Sequence, residues 1–260
     1  MLKRKKFVFV GTVLLGVLLL WTDGEARQVG VQTSDEALVL NNKAVDCVEE
    51  HRYDDALELL KKAVALRSAF TMAHYNLGRL YEMREEFDLA SAELEQTLRL
   101  NPRFTDALYH LGLSLNRSNR SAEAIEWLKR AVHVSPDQAE SFNELGFAYS
   151  QVGRNQEAVA ALKEAVRLKP DFGEAYNNLG VAVFKLGQAS TAIEFLQRAT
   201  SLTPGMAVAH FNLAVIHVQR GERSLALDQY TSLKTIDYEM ARKLFGIIYQ
   251  DKILKVQSEE

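Results

Sequence analysis

The four prolines of this chain, Pro102, Pro136, Pro170 and Pro204, are spaced 34 residues apart. Between them one pattern of apolar and small residues recurs without insertion or deletion, and weaker copies flank it on both sides. Six units of 34 residues therefore cover residues 37–240, with the bounds 37–70, 71–104, 105–138, 139–172, 173–206 and 207–240. A fixed internal period of this length is typical of repeat proteins, whose units pack mainly on their neighbours in sequence.

Each unit contains two segments in which apolar residues recur at spacings of three and four, which predicts two amphipathic helices. In the fifth unit these helices are predicted at roughly residues 175–186 and 190–202. Gly187 would end the first helix in a left-handed conformation. Pro204 disfavours helical backbone at the residue before it and would therefore end the second. The sequence thus predicts an all-α fold of stacked helix pairs.

The repeated pattern resembles that of the tetratricopeptide repeat (TPR) family over all six units. At position 8, where the family has a small residue, the units hold Ala44, Gly78, Gly112, Gly146, Gly180 and Ala214. At position 20 they hold the family's alanine, as Ala56, Ala90, Ala124, Ala158, Ala192 and Ala226. The terminal units depart most from the pattern, since Lys43 replaces a leucine and Ser68 and Tyr238 replace the proline. The resemblance implies a right-handed α-solenoid, with the small residues where the two helices of a unit cross.

The segments that flank the repeats have different compositions. Residues 27–36 are interpreted as a short polar lead-in, with Ser34 as the N-cap of the first helix. Residues 241–260 are predicted to form a further amphipathic helix, "ARKLFGIIYQDKILKV", followed by the polar tail "QSEE". This helix would cap the open end of the sixth repeat.

Residues 1–26 are typical of an export signal. Four basic residues precede the apolar run 7–21, and Gly24 and Ala26 stand at positions −3 and −1 of a predicted cleavage point. As a helix this run would be about 22 Å long, which is short for a bilayer core of about 30 Å. We therefore predict a cleaved signal, with an uncleaved membrane anchor as the main alternative and a buried core helix as the least favoured. In the first two cases the repeats are exported, either periplasmic or secreted, or anchored to the membrane outside the cytoplasm.

No pattern in the sequence predicts catalysis, and no cofactor or metal site is expected. Walker, dinucleotide-binding, GxSxG and HExxH motifs are absent from the sequence. Cys47, the only cysteine, and the pair His210 and His217 occupy repeat positions that are apolar or aromatic in other units, which favours a packing role. With 31 basic and 34 acidic residues, the chain carries no positive excess that would favour nucleic acid. We expect a protein that is not an enzyme.

The TPR resemblance implies a concave groove lined by the first helices of the units. On this basis the predicted peptide-binding residues are Asn42, Tyr75, Asn76, Arg79, Tyr109, Asn143, Asn177, Asn178, Phe184, Phe211 and Asn212. Four of the six units carry asparagine at position 6, and a similar ladder lines the repeat arm of O-linked N-acetylglucosamine transferases. An amide side chain can both donate to and accept from an extended peptide backbone. The alternative is that position 6 is a solvated polar slot or was inherited by duplication.

These residues predict a non-enzymatic scaffold that binds an extended segment of a protein or peptide partner in the groove. A carboxylate clamp is disfavoured, because acidic residues occupy position 2 of the third to fifth units. An apolar patch in the last two units would hold partner side chains or lie under the chain's own C-terminal helix. One alternative function is an envelope assembly factor that acts through the convex face or through self-association. A more remote one is an accessory module of a glycan-modifying system.

Overall fold

The computed structural model describes residues 26–257, and it describes side chains for residues 35–249. Thirteen helices occupy this range: α1 Ala26–Glu49, α2 Tyr53–Leu66, α3 Thr71–Met83, α4 Phe87–Leu100, α5 Thr105–Arg117, α6 Ser121–Val134, α7 Ala139–Gln151, α8 Asn155–Leu168, α9 Gly173–Lys185, α10 Ala189–Leu202, α11 Ala207–Gln219, α12 Arg223–Ile236 and α13 Tyr238–Gln257. No strand occurs among these residues. The predicted export signal, residues 1–26, lies outside the described range except for Ala26.

The chain divides into two compact units between Asn119 and Arg120. Unit 1 contains α1 to α5, and unit 2 contains α6 to α13. Within each unit every helix packs on the next helix in sequence, and the first helices of several adjacent repeats also contact each other, as α1 does with α3 and α7 with α9. This consecutive packing confirms the predicted α-solenoid of TPR helix pairs.

The two helices of a repeat cross at the small residues of positions 8 and 20. A Cβ atom added to Gly180 would lie 2.7 Å from Cγ of Leu196 and 3.2 Å from the carbonyl oxygen of Ala192. Gly78 is placed in the same way, with Leu94 Cγ 2.8 Å away. The alanine at position 20 is fully buried in every unit. The predicted role of these residues in bringing the helix axes together is confirmed.

The turns of the repeat end its helices where the sequence predicts. The second helices of the second to fifth units each end two residues before their proline. Position 15 has a left-handed backbone in all six units, including Gly187 with φ of 80°. This conformation favours glycine, yet the first three units hold His51, Glu85 and Asn119 there, with φ near 60°.

Both terminal helices begin earlier than predicted. Helix α1 starts at Ala26, so Ser34 lies inside it rather than at its N-cap, and the predicted lead-in 27–36 is helical. This segment contains no proline that would prevent the helix from extending. Helix α13 starts at Tyr238, where the second to fifth units have proline, and the Asp237 carboxylate accepts a hydrogen bond from the backbone N–H of Met240 at 2.9 Å.

The C-terminal helix α13 covers the last repeat, as predicted. Its buried residues Ala241, Leu244 and Ile248 form one apolar cluster with Ala214 of α11 and Leu233 of α12. Because a terminal repeat lacks one neighbour, such a helix supplies the missing contacts. Residues 258–260, at the end of the predicted polar tail, lie outside the described range.

Among residues 26–257, none of the helices combines the length and the apolar character that a membrane span requires. The predicted anchor, residues 7–21, is outside this range.

Candidate functional site

The first helices of the repeats carry all the predicted binding residues. We call the surface of these helices the first-helix face of each unit; it is formed by α1, α3 and α5 in unit 1 and by α7, α9 and α11 in unit 2. Of the predicted residues, Tyr75, Asn76, Asn143 and Asn177 are buried, and Asn42 is exposed. The others are half-buried: Arg79, Tyr109, Asn178, Phe184, Phe211 and Asn212.

The asparagines of unit 2 are hydrogen-bonded to one another across three helices. Asn212 Nδ2 on α11 donates to Asn177 Oδ1 on α9 at 2.9 Å. Asn177 Nδ2 donates to the neighbouring Asn178 Oδ1 at 3.2 Å, and Asn178 Nδ2 donates to Asn143 Oδ1 on α7 at 3.0 Å. We call these four side chains the amide relay. Each repeat is thereby joined to the next by a polar contact.

Unit 1 repeats part of this arrangement. Asn76 Nδ2 on α3 donates to Asn41 Oδ1 on α1 at 2.9 Å, and Asn41 Nδ2 donates to Asn42 Oδ1 at 3.3 Å. The rule is therefore general: asparagine at position 6 donates to asparagine at position 5 of the preceding repeat. The sequence predicts no packing role for these asparagines; the structure corrects this, because their side chains form hydrogen bonds to one another between repeats.

The two ends of the amide relay have unused hydrogen-bonding groups. Within the described residues, Asn143 Nδ2 and Asn212 Oδ1 form no hydrogen bond; Asn212 is half-buried, and Asn143 is 2% exposed. One end thus offers a donor and the other an acceptor. An extended peptide backbone presents the complementary groups, a carbonyl oxygen and an N–H.

The apolar patch of the last two repeats divides into two parts. Phe211 and Val218 pack against the cluster that α13 completes. Val181, Phe184 and Val215 are half-buried and lie outside that cluster. The C-terminal helix α13 therefore covers one part of the patch, as one of the two alternatives predicted, while the other part stays on the first-helix face beside the amide relay.

A charged cluster occupies the first-helix face of unit 1. The Glu82 carboxylate, 9% exposed, lies 3.0 Å from Arg79 Nε and 3.0 Å from His110 Nδ1. It also accepts a hydrogen bond of 2.7 Å from the Ser114 hydroxyl. Burial lowers the pKa of His110, although the neighbouring carboxylate opposes this effect.

This cluster assigns Arg79 a partner within its own helix, so its charge is compensated before any ligand arrives. Glu82 and Ser114 are not among the binding residues predicted from the sequence. Glu82 stands at position 12, where the other units hold uncharged residues. This difference between the repeats could have identified Glu82 from the sequence alone.

The histidines and the cysteine have packing roles. Cys47 is 4% exposed and belongs to a core cluster of unit 1. His210 Nε2 lies 3.0 Å from the carbonyl oxygen of Pro204, and its Nδ1 lies 2.8 Å from Gln229 Oε1. Among the described residues no group of three or more histidine, cysteine, aspartate or glutamate side chains is arranged to hold a metal ion.

His74 occupies the same repeat position as His210 but faces a carboxylate. Its Nε2 lies 3.0 Å from the Ser68 carbonyl oxygen, and its Nδ1 lies 2.6 Å from Glu93 Oε2. Both neighbours accept hydrogen bonds when Glu93 is ionised, so both ring nitrogens must carry protons. The hydrogen bond to Glu93 raises the pKa of His74, and partial burial opposes this rise.

We predict that this pair makes the stability of the protein pH-dependent. Because the folded state raises the His74 pKa above its unfolded value of about 6.5, the stabilisation is complete below that pH and is lost as the pH rises through the folded-state pKa. The free energy of unfolding should fall by about 1 kcal/mol between pH 6 and pH 9 from this pair, the scale of a charge-assisted hydrogen bond.

The matched variant is Glu93→Gln, which copies the His210–Gln229 arrangement. We expect denaturant unfolding at several pH values to show that the wild type loses stability relative to this variant as the pH rises. A difference that is constant from pH 6 to pH 9 would contradict the assignment.

Models of the TPR family match most of the repeat region. A "Tetratricopeptide repeat" model matches residues 42–90 and 84–139, a second model of the same description matches residues 173–205, and a "TPR repeat" model matches residues 149–187. The chain belongs to the tetratricopeptide repeat family. Proteins of this fold commonly act as protein-interaction scaffolds. A comparison with curated proteins gave no match.

Several solved structures are similar to this chain. YrrB, described as a TPR protein with an unusual peptide-binding site, is 25% identical with a TM-score of 0.61, over 71% of this chain and 96% of YrrB. MamA from Desulfovibrio magneticus RS-1, solved from residue 41 to its end, is 22% identical with a TM-score of 0.62, over 66% of this chain and 97% of the solved chain. PilW, described as a type IV pilus biogenesis factor, is 18% identical with a TM-score of 0.71, over 80% of this chain and 98% of PilW.

Proposed function

We propose that this protein is a non-enzymatic scaffold that binds an extended segment of a partner protein on its first-helix face. The observation that carries the proposal is the amide relay of unit 2, which has an unused donor at Asn143 and an unused acceptor at Asn212. A ligand backbone can bond to these ends without breaking the bonds that join the repeats. The relay thus holds the recognising amides in fixed positions, which reduces the entropy lost on binding.

The apolar side chains beside the relay support the same function. Val181 and Val215 are half-buried on α9 and α11, outside the core cluster that α13 covers. Apolar side chains of a bound segment would contact them while its backbone bonds to the amides. A peptide-binding site is also reported for YrrB, which shares 25% identity with this chain over 71% of its length.

Two observations favour this function over self-association through a terminal repeat. In the first repeat, the charged residues Lys43, Asp46 and Glu50 are exposed within the described part of the chain. At the other end, α13 covers the sixth repeat. Polar or covered ends are how repeat proteins avoid stacking on further copies.

The proposed location is outside the cytoplasm. It rests on the basic residues and the apolar run within residues 1–26 and applies whether that segment is cleaved or serves as an anchor. The partner segment would then belong to another exported or membrane protein.

The test is a selection of random peptides on the full-length protein in detergent, followed by affinity measurements on two variants. Val181→Arg places a large charged side chain on the first-helix face, and Leu225→Arg makes the same change at an exposed residue of the second helix α12. We expect selected peptides to lose at least about tenfold in affinity for Val181→Arg, the loss expected for blocking a contact of about 1.4 kcal/mol. Leu225→Arg should bind as the wild type does, and helicity should be unchanged in both. Equal losses in both variants, or no enriched peptides, would contradict the proposal.

A further inference from the structure

Lys185, at the end of α9, carries a positive charge that is held in place without a counter-ion. Its ammonium group donates to the backbone carbonyl oxygen of Ser150 and to the Ser150 hydroxyl oxygen, each at 3.0 Å. Both acceptors are uncharged, and no carboxylate of the described chain forms an ion pair with this group. A lysine ammonium has three N–H donors, so one donor is left unused by the protein.

Repeat packing does not by itself require this charge. Ser150 lies in the last turn of α7, so Lys185 satisfies a terminal carbonyl group and interacts favourably with the helix dipole. However, the neighbouring repeats hold Gln151 and Gln219 at the same position. Uncharged side chains therefore occupy this position in the two adjacent repeats.

Lys185 belongs to the same strip of α9 as the amide relay. Asn178, Val181 and Lys185 follow one another at spacings of three and four residues, which places them on one side of the helix. The strip extends about 10 Å from Asn178 to Lys185. In an extended segment each residue advances about 3.3 Å, so a residue about three positions beyond the one at Asn178 would lie over Lys185.

The opposite end of the strip carries the opposite charge. Glu174, in the first turn of α9, is exposed and forms no ion pair within the described residues. The strip is therefore acidic at one end, apolar at Val181 and basic at Lys185. A ligand that carries a carboxylate would be attracted at the Lys185 end and repelled at the Glu174 end.

We propose that the Lys185 end of this strip recognises an aspartate or glutamate side chain of the bound segment, about three residues from the residue that lies over Asn178. An apolar side chain of the segment would occupy the space over Val181 between these two contacts. This inference rests on the proposed function, since it specifies which segment the first-helix face selects.

The test compares random-peptide selections on the full-length wild type, Lys185→Gln and Lys185→Glu, with Lys163→Gln on the exposed surface of α8 as the matched control. Wild-type pools should be enriched in acidic residues, and Lys185→Gln should remove this enrichment and weaken an acidic peptide by about three- to tenfold. Lys185→Glu should select basic residues instead. Lys185→Arg keeps the positive charge and should retain the acidic preference. The control Lys163→Gln should also leave this preference unchanged.

The possible failures are distinguishable. If the wild type enriches peptides without an acidic preference, or if Lys185→Gln keeps that preference, this inference is wrong while peptide binding stands. If the wild type enriches no peptides, the proposed function fails and the inference fails with it. Thermal unfolding should show that Lys185→Gln folds as the wild type does, because glutamine is the residue of the neighbouring repeats.

Discussion

Replacing Ala192 with tryptophan is expected to lower the free energy of unfolding by about 3 kcal/mol, at the upper end of the usual cost of overpacking. Ala192 is fully buried in α10 where that helix crosses α9. Its backbone carbonyl oxygen would lie only 3.2 Å from a Cβ atom on Gly180. The crossing has no space for an indole ring, so the two helix axes would have to separate.

Thermal or denaturant unfolding followed by circular dichroism measures this effect. For a chain of this size, 3 kcal/mol corresponds to a decrease of about 6 to 12 °C in melting temperature. Gln197→Trp, at an exposed position of the same helix, introduces the same side chain without filling the crossing and should change the melting temperature by less than about 2 °C. If the Ala192→Trp protein has the same melting temperature as the wild type, Ala192 does not lie where α9 and α10 cross.

Replacing Asn177 with alanine is expected to cost about 2 kcal/mol of stability. Asn177 is 5% exposed and makes two bonds of the amide relay, since it accepts from Asn212 and donates to Asn178. Its removal leaves a donor and an acceptor without their partners in a partly buried environment, and each such group costs about 1 to 3 kcal/mol when it is fully buried.

The matched control for this variant is Asn42→Ala. Asn42 is exposed and accepts one long hydrogen bond of 3.3 Å from Asn41, so its loss should cost less than about 0.5 kcal/mol. The free energies of unfolding of the two variants, measured with denaturant, should therefore differ by more than about 1 kcal/mol. Both substitutions replace asparagine with alanine on a first helix of a repeat, so the comparison isolates the hydrogen bonds. Equal costs would show that the relay does not contribute to the joining of repeats.

The fold was predictable because each repeat obeys the same local rules six times. Gly187 and Pro204 end their helices as predicted, and Gly180 packs on Leu196 at the crossing. In a repeat protein most contacts lie within a unit or with its neighbour, so a local sequence pattern determines most of the packing. The terminal helices were predicted less well, since Ser34 lies outside the repeat pattern and Tyr238 stands where the repeat pattern has proline.

The site was less predictable, because the sequence shows which residues share a face but not which of them bond to one another. Asparagines at positions 5 and 6 were both assigned to a ligand, whereas the structure bonds Asn178 to Asn143 and Asn212 to Asn177. These pairs are 35 residues apart in the chain, one repeat plus one residue. The charge of Lys185 was visible in the sequence, but its fixed position depends on Ser150 in the preceding repeat.

The central claim, that a partner segment binds on the first-helix face, is tested most directly by site-specific photo-cross-linking. A photoreactive amino acid would replace Val215 on the first-helix face or Leu225 on α12, in the full-length protein, and each protein would be irradiated with a peptide selected on the wild type. We predict efficient cross-linking from position 215, with the attached residue identified by mass spectrometry, and little from position 225. Cross-links that form at position 225 and not at position 215 would contradict the proposed function.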